Sequence, residues 1–356
     1  MKGRKRPFIL RFEGGNGMEN KLDKRVEKIL NAKKTNKKLI DLVIPCYKAR
    51  NTLTRLFASV VTQSMRNNIH IILVQDYDGE DYSDIIAQFE QWLDIQLIQM
   101  KENSGPGTCR RVGMKAGKCK YITCMDADDT FQNPFAVEEL YASIEENKLD
   151  AVNSIFIEQV SDLQFYAHDN NDWVWMFGKI YRRKFLEKNK IEMNDSRANE
   201  DTGFNSVVRC VGKIGFLPDT TYVWHFKEDS ITRVNGGIYR FTGIEGWLYN
   251  MEWAIENMTR LKAKEENIQQ FVADNIIATY SWFLEFGRDT DERIDIDNYK
   301  KWVHKYYENI YVKYKPTEEQ LNMSFQNQAG NYHLSGIIPK YTFEQYLNMI
   351  GEGYNG

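Results

Sequence analysis

Leu39-Ile-Asp-Leu-Val-Ile44 is a short apolar run stopped by Pro45, so the folded body is expected to begin there with a strand. Leu53, Leu56, Phe57, Val60 and Val61 then recur at helical spacing, and Ile69-His-Ile-Ile-Leu-Val74 reads as a buried strand. The alternation continues with a periodic helix from Tyr82 to Trp92, a strand near Gln96 to Gln99, a helix from Gly107 to Ala116 and a strand from Tyr121 to Met125. Asn133-Pro134 supplies an N-cap with proline at the first helical position. That starts a helix through about Glu146, ahead of the apolar segment Ala151 to Ile157. Strands alternating with helices predict an α/β fold with a mostly parallel sheet flanked by helices.

Beyond residue 240 the period changes. Ile244, Trp247, Leu248, Met251, Ile255 and Met258 keep helical spacing, as do Tyr299, Trp302, Val303, Tyr306 and Ile310. Their aromatic stripes are expected to be packing faces, with a groove lining as the other use. The expected organisation is a basic arm over 1–38, an α/β domain over 39–238 and a helical domain over 239–356.

A chain of 356 residues, 42% apolar and 13% aromatic, is long enough for one large core, or a core with a helical annex. Its apolar runs fall far short of the ~20 residues that a membrane-spanning helix needs. Lys2, Arg4, Lys5 and Arg6 are followed only by the short segment Pro7 to Leu10, which is no signal-peptide core, so a cytoplasmic protein is expected. Cys46, Cys109, Cys119, Cys124 and Cys210 are scattered, which points to reduced thiols rather than a disulfide framework or a zinc site. The net charge of −3 hides an asymmetry, because residues 1–40 hold 13 Lys/Arg against 4 Asp/Glu. Such an arm meets phosphate-rich partners such as nucleic acid or a membrane surface, or is simply a solvated leader.

The sharpest chemical signal is Asp126-Ala-Asp128-Asp129 directly after the strand Tyr121 to Met125. The carboxyl ends of parallel strands are where α/β sheets bind ligands. Crowded carboxylates there suit a hard divalent cation, Mn²⁺ or Mg²⁺, that would neutralise a diphosphate. A helix N-cap or a solvated turn uses the same residues.

Several ordered motifs set this signal in context. Val43-Ile-Pro-Cys-Tyr47, Val74-Gln-Asp76, Glu102-Asn-Ser-Gly-Pro-Gly-Thr-Cys-Arg110, Asp126-Ala-Asp128-Asp129, Phe177-Gly-Lys-Ile-Tyr-Arg-Arg183 with Asn199-Glu-Asp201, and Tyr222-Val-Trp-His-Phe226 follow one another over about 200 residues. In that order the chain resembles the inverting GT-A glycosyltransferases of family 2, of bacterial or phage type, across roughly residues 39 to 235. Two positions depart from the family's pattern: Lys48 stands where Asn is common and Gln75 replaces an acid.

The resemblance implies a Rossmann-like GT-A domain that transfers a sugar from a nucleotide diphosphate donor, a UDP-sugar by preference, to a hydroxyl. Pro45 and Tyr47 would cradle the base, Asp76 would accept a hydrogen bond from uracil, and Arg110, Asp126, Ala127, Asp128 and Arg233 would line the donor's diphosphate. Asp128, Asp126 and His225 are the implied metal ligands. Inverting displacement at the anomeric carbon asks for a base opposite the leaving diphosphate; that role falls to Asp201, with Glu200 in reserve. The same two acids would also suit a helix start. The resemblance implies as acceptor either a glycan or cell-surface polymer, or hydroxymethylated bases in phage DNA, where the basic arm would serve. A nucleotidyltransferase is the competing enzyme class, but a glycine-rich basic stretch after the first strand is missing. A nucleotide-sugar-binding module without turnover is the non-enzymatic alternative.

Overall fold

The structure, a computed structural model, describes residues 37–169, 171–196, 199–228, 230, 238–286, 294–331 and 341–351. The arm over residues 1–36 and Arg233 lie outside them. Residues 38–356 form one compact unit.

The first half of the sheet follows the apolar pattern closely. β1 (Ile40–Cys46) pairs in parallel with β2 (Ile69–Gln75) and with β4 (Tyr121–Cys124), while β3 (Ile95–Gln99) adds in parallel outside β2. Side chains alternate across a strand, and β1 shows the result. Ile40, Leu42 and Ile44 bury against Leu53, Leu56 and Phe57 of helix α1 (Arg50–Val61), whereas Val43 joins Met114 of the opposite layer. Helix α2 (Ser83–Phe89) lies on the first of these faces and α3 (Gly105–Ala116) on the second. α3 comes so close to β1 that a Cβ on Gly113 would sit 2.5 Å from Val43 Cγ1. Asn133 does not cap the next helix, α4 (Ala136–Glu146). Its Oδ1 accepts from the Phe135 N–H at 2.7 Å in an Asx-type turn, so the helix starts after Pro134 rather than at it.

The second half is mixed rather than parallel. The strands run β3-β2-β1-β4-β8-β6-β9-β5, with β7 (Gln164–His168) paired to β6 (Ala151–Ser161). β8 (Lys179–Arg182) enters antiparallel to both β4 and β6, and β5 (Thr130–Phe131) is antiparallel to β9 (Ile214–Trp224), which itself runs parallel to β6. The tight β6–β7 hairpin and the loop back to β8 reverse the chain without the long crossover that a parallel neighbour requires.

Helices α5 (Arg183–Asn189) and α6 (Glu200–Val211) lead into the helical region. There follow α7 (Tyr239–Thr242), α8 (Ile244–Arg260), α9 (Glu265–Phe286), α10 (Ile296–Tyr306), a π-turn over Tyr307–Tyr311, α11 (Val312–Tyr314), α12 (Glu318–Asn331) and α13 (Phe343–Gly351). Their aromatic stripes are packing faces: Trp247 meets Trp282 edge-on at 4.8 Å, and Phe241 stacks on Tyr299 at 4.0 Å. One apolar cluster runs from Val43, Ile122 and Cys124 of the sheet through Phe204 and Val208 of α6 to Leu248, Ile276 and Val303.

A buried ion pair fixes the lower end of this assembly. Asp41 in β1 receives Arg183 Nη2 at 2.6 Å and the Cys119 N–H at 2.8 Å, while Arg183 also donates to the carbonyls of Cys119 and Met114. Removing one partner of such a pair leaves a desolvated charge behind, at a cost of about 3–5 kcal/mol. Asp41→Asn is therefore expected to lower the unfolding free energy by about 3 kcal/mol in a denaturant titration. An unchanged midpoint would show that Arg183 finds its compensation elsewhere.

Candidate functional site

Three parallel strands end side by side and deliver the sequence-marked residues to one rim. The Asp76 N–H donates to the Cys46 carbonyl at 2.8 Å and the Met125 N–H to that of Val43 at 3.1 Å. Tyr47 and Asp76 thus follow directly on β1 and β2, and Asp126 lies one residue further along after β4. Pro45 is half-buried near the end of β1, and Tyr47 is 48% exposed just beyond it. Lys48 and Tyr77, at equivalent places after β1 and β2, both adopt left-handed backbone conformations, with φ of 49° and 50°. Strained positions of this kind gather at functional rims. Tyr77 is 64% exposed and offers, with Tyr47, a second aromatic surface where the resemblance places a nucleobase. Sequence reasoning passed over Tyr77; its position next to Asp76 was the available signal.

Asp76 is buried and has both carboxylate oxygens engaged. Oδ1 accepts from the Ser104 N–H at 2.7 Å, and Oδ2 accepts from the Gly105 N–H at 2.8 Å and from Asn103 Nδ2 at 3.2 Å. Asp76 therefore satisfies the open N–H groups at the start of α3, a use the sequence did not reveal. A carboxylate offers about four acceptor sites, so a base N–H would share oxygens that already hold this helix end.

The acidic turn is held from several sides. The Thr52 hydroxyl donates to the Ala127 carbonyl at 2.8 Å, and Arg55 Nη2 donates to the Asp128 carbonyl at 2.5 Å, so α1 fixes the turn's backbone. Asp129 is fully buried and points inward, its two oxygens accepting from the Tyr222 hydroxyl at 2.6 Å and the His225 N–H at 2.9 Å. Burial beside Asp128 and Asp126 pushes its carboxyl well above the usual range. Asp129 acts as the strut that joins the turn to β9. Asp128 is one-third exposed, with Lys227 Nζ at 3.9 Å; burial and the neighbouring Asp126 raise its carboxyl too.

His225 sits close by but is occupied. Its Nδ1 lies 3.4 Å from Gln159 Oε1, an oxygen that already accepts from the Phe226 N–H, so Nδ1 is the donor. The lone pair of Nε2 is then the partner of the Thr130 hydroxyl at 2.9 Å. Burial, helped by the charge of Arg55, pulls this imidazole down to about 4, which keeps it neutral. Among the described residues no three His, Cys, Asp or Glu side chains converge as a ligand set. Asp128, raised by burial and then by the neighbouring Asp126, would together with Asp126 suit a Mg²⁺ or Mn²⁺ ion whose remaining ligands are oxygens.

Arg110 connects this turn to α6. Its Nη2 lies 2.5 Å from Asp126 Oδ1 and its Nη1 2.6 Å from Glu200 Oε1, in a place where the arginine is 5% exposed. α6 begins at Glu200 after Asn199, which has a left-handed φ of 61°, so both acids lie in a first helical turn, where negative charge is favoured. α3 approaches closely here: a Cβ on Gly107 would stand 2.6 Å from Glu200 Cγ. Glu200 is thus committed to Arg110. Asp201 receives its own neighbour's N–H, that of Thr202, at 2.8 Å. Burial, then the charge of Glu200, push its carboxyl up to about 7.

A mixed sheet with an acidic turn at its parallel strand ends is the GT-A architecture. The structure of a TarS fragment from S. aureus in complex with UDP-GlcNAc superposes with a TM-score of 0.61 at 16% identity, covering 83% of this chain and 91% of that one. Residues 41–202 match the profile of glycosyl transferase family 2. The glycosyltransferase GlyA of Streptococcus pneumoniae is 24% identical over 224 residues, 55% of this chain and 32% of GlyA. A poly(ribitol-phosphate) beta-glucosyltransferase of Bacillus spizizenii is 27% identical over 210 residues, 53% of this chain and 32% of that protein. This chain therefore spans about a third of the length of each of these two relatives. No helix among the described residues is long and apolar enough to cross a membrane.

The raised Asp201 carboxyl has a consequence for stability. With a folded value near 7 against an ordinary value near 4, ionising Asp201 weighs against the fold. That cost is absent below about pH 4, grows as the pH rises and is complete above about pH 7. Asp201→Asn is expected to raise the thermal midpoint by a few degrees at about pH 8 and to leave it unchanged at about pH 4. Equal midpoints at both pH values would place Asp201 in a more solvated setting.

Proposed function

We propose that this chain transfers a sugar from a UDP-sugar to a hydroxyl of a saccharide or polyol-phosphate polymer, with inversion and with a divalent cation. The observation that carries the reading is the Asp126–Arg110–Glu200 bridge. It holds the turn that would face a diphosphate and the helix that bears Asp201 in one fixed relation. The UDP-GlcNAc bound to TarS supports the donor, and the polymer named for the Bacillus spizizenii relative supports the acceptor class over hydroxymethylated DNA. All five cysteines are unpaired thiols, in keeping with a reducing cytoplasm.

In this reading the acceptor hydroxyl gives its proton to Asp201 while its oxygen forms the bond to the anomeric carbon. The bond from that carbon to the diphosphate oxygen breaks, and its electron pair leaves with UDP. Asp201 is suited to the task because its carboxyl lies near 7, so about half of it is ionised at neutral pH and the ionised form is basic enough to take a proton. Glu200, spent on Arg110, keeps that guanidinium in place. Tyr47 and Tyr77 offer surfaces for the base. Asp128 and Asp126 would hold the Mn²⁺ or Mg²⁺ ion, which would stabilise negative charge on the departing diphosphate.

Four outcomes test the reading. Asp201→Asn should reduce transfer by ~10²–10⁴-fold while calorimetry shows UDP-sugar binding retained, and wild-type transfer should rise with pH through a midpoint of about 7 and level above it. Asp128→Asn should abolish the response of donor hydrolysis to added Mn²⁺ or Mg²⁺. A panel of nucleotide sugars against neutral oligosaccharides, polyol-phosphate polymers and hydroxymethylated DNA, read by mass spectrometry, identifies the pair. Pyrophosphate release, or modification of DNA alone, would overturn it.

A further inference from the structure

A second recess lies outside the strand-end site. A cleft of about 300 Å³ opens between α3, the chain segment 190–195 and α8. One side presents aromatic surface: Tyr249, 49% exposed, and Trp253, one helical turn later on the same face of α8. Trp253 also rests against α6, where a Cβ on Gly203 would meet its ring at 3.5 Å. The other sides carry hydrogen-bonding groups. The Tyr249 hydroxyl lies 3.4 Å from Asp195 Oδ1, which leaves most of that carboxylate's acceptor capacity unused. Arg111 lines the cleft from α3 and makes no hydrogen bond or ion pair among the described residues. Its five donors face the same space as the Asp195 acceptors.

Charge argues for the kind of ligand. The lining holds two cations, Arg111 and Lys190, and two anions, Asp195 and Glu192, with Lys115 outside it on Glu192 at 2.5 Å, so the cleft carries no more than one net positive charge. A polyanion gains little from such a balance. A neutral, hydroxyl-rich ring with an apolar face fits it: the face covers an aromatic side chain, and adjacent hydroxyls donate to a carboxylate and accept from a guanidinium. The wall itself is firm, because Asn194 is bonded to Asn250, which donates to the Ser196 hydroxyl at 3.0 Å and to the Gly246 carbonyl at 3.0 Å. That wall is the segment that continues to Glu200 and Asp201.

We propose that this cleft is a saccharide subsite in which one neutral sugar unit stacks on Tyr249 and Trp253 and is held through its hydroxyls by Asp195 and Arg111. Its role, binding a distal unit of the acceptor chain, rests on the transferase reading above; the binding itself does not. The test uses the full chain carrying Asp201→Asn, without donor, titrated with maltotetraose, cellotetraose and chitotetraose, and separately with a ribitol-phosphate oligomer. The readout is the Trp253 indole N–H resonance.

A neutral tetrasaccharide is expected to shift that resonance saturably, and Tyr249→Ala or Arg111→Ala to weaken the binding about tenfold. An indole that no neutral sugar moves, one moved only by the phosphate oligomer, or unaltered affinity in both variants would overturn the proposal. Because Tyr249 and Arg111 lie at the surface of the cleft, unfolding midpoints of these variants serve as the control. Sugar binding here with no transfer by the unsubstituted protein would sink the transferase reading alone, whereas transfer with no binding in the cleft would sink this one alone.

Discussion

The site depends on one buried guanidinium. Arg110 stands between Asp126 and Glu200 at 2.5 and 2.6 Å, and these carboxylates outweigh its desolvation and keep it firmly protonated. Without it, Asp126, Glu200 and Asp201 would share a poorly solvated space with no cation among them, and one or more would have to take up a proton. The arrangement also dictates neighbouring sequence. α3 must come near enough for Arg110 to reach both acids, and that approach leaves no room for a side chain at Gly107. Asp76 then closes the same helix from its start, so the donor-side strand ends and α6 are linked through a single element.

Acidic residues that look alike along the chain have different tasks in the fold. Asp76 and Asp129 spend their oxygens on N–H and O–H groups of the protein itself, whereas Asp128 and Asp201 keep part of theirs available. Spacing could not make this distinction. The groups that occupy Asp129, Tyr222 and His225, come from the far end of the domain, and Thr52 and Arg55, which hold the turn's backbone, belong to a helix that reads as ordinary packing. The motif order located the rim and brought Asp126, Arg110 and Glu200 to one place; it could not show that Glu200 is already paired or that His225 faces Thr130.

Legibility of the fold divides along the same line between local and distant causes. β1, β2, β4 and the helices between them were readable because apolar periodicity is a local signal and each element buries a face its own sequence defines. β8 was not: it is four residues long and begins with Lys179, which is wholly buried. That burial is possible because the ammonium donates to the carbonyls of Asp172 and Phe177, partners that only the returning loop supplies. β9 contains Pro218 and Asp219 and shifts register against β6, so alternation is broken where the strand runs. α9 is buried along most of its circumference from Val272 to Leu284, and a helix without a polar face has no stripe to detect.

The balance of charge at the rim explains why the proposed donor would come with a cation. Arg110, Arg55 and Lys227 face Asp126, Asp128, Asp129, Glu200 and Asp201. Even with Asp129 pushed well above the usual carboxylate range, the acids outnumber the bases. A bare diphosphate entering this field would be repelled by Asp126 and Asp128. A divalent ion held by Asp126 and Asp128 would offset that charge and turn the repulsion into attraction. Burial and the neighbouring Asp126 raise Asp128 in the protein alone, and a bound cation would relieve both, most of all as negative charge builds on a leaving diphosphate. An acidic rim that is unfavourable when empty would in this way be matched to the charge of the transition state of the proposed reaction rather than to that of the resting protein.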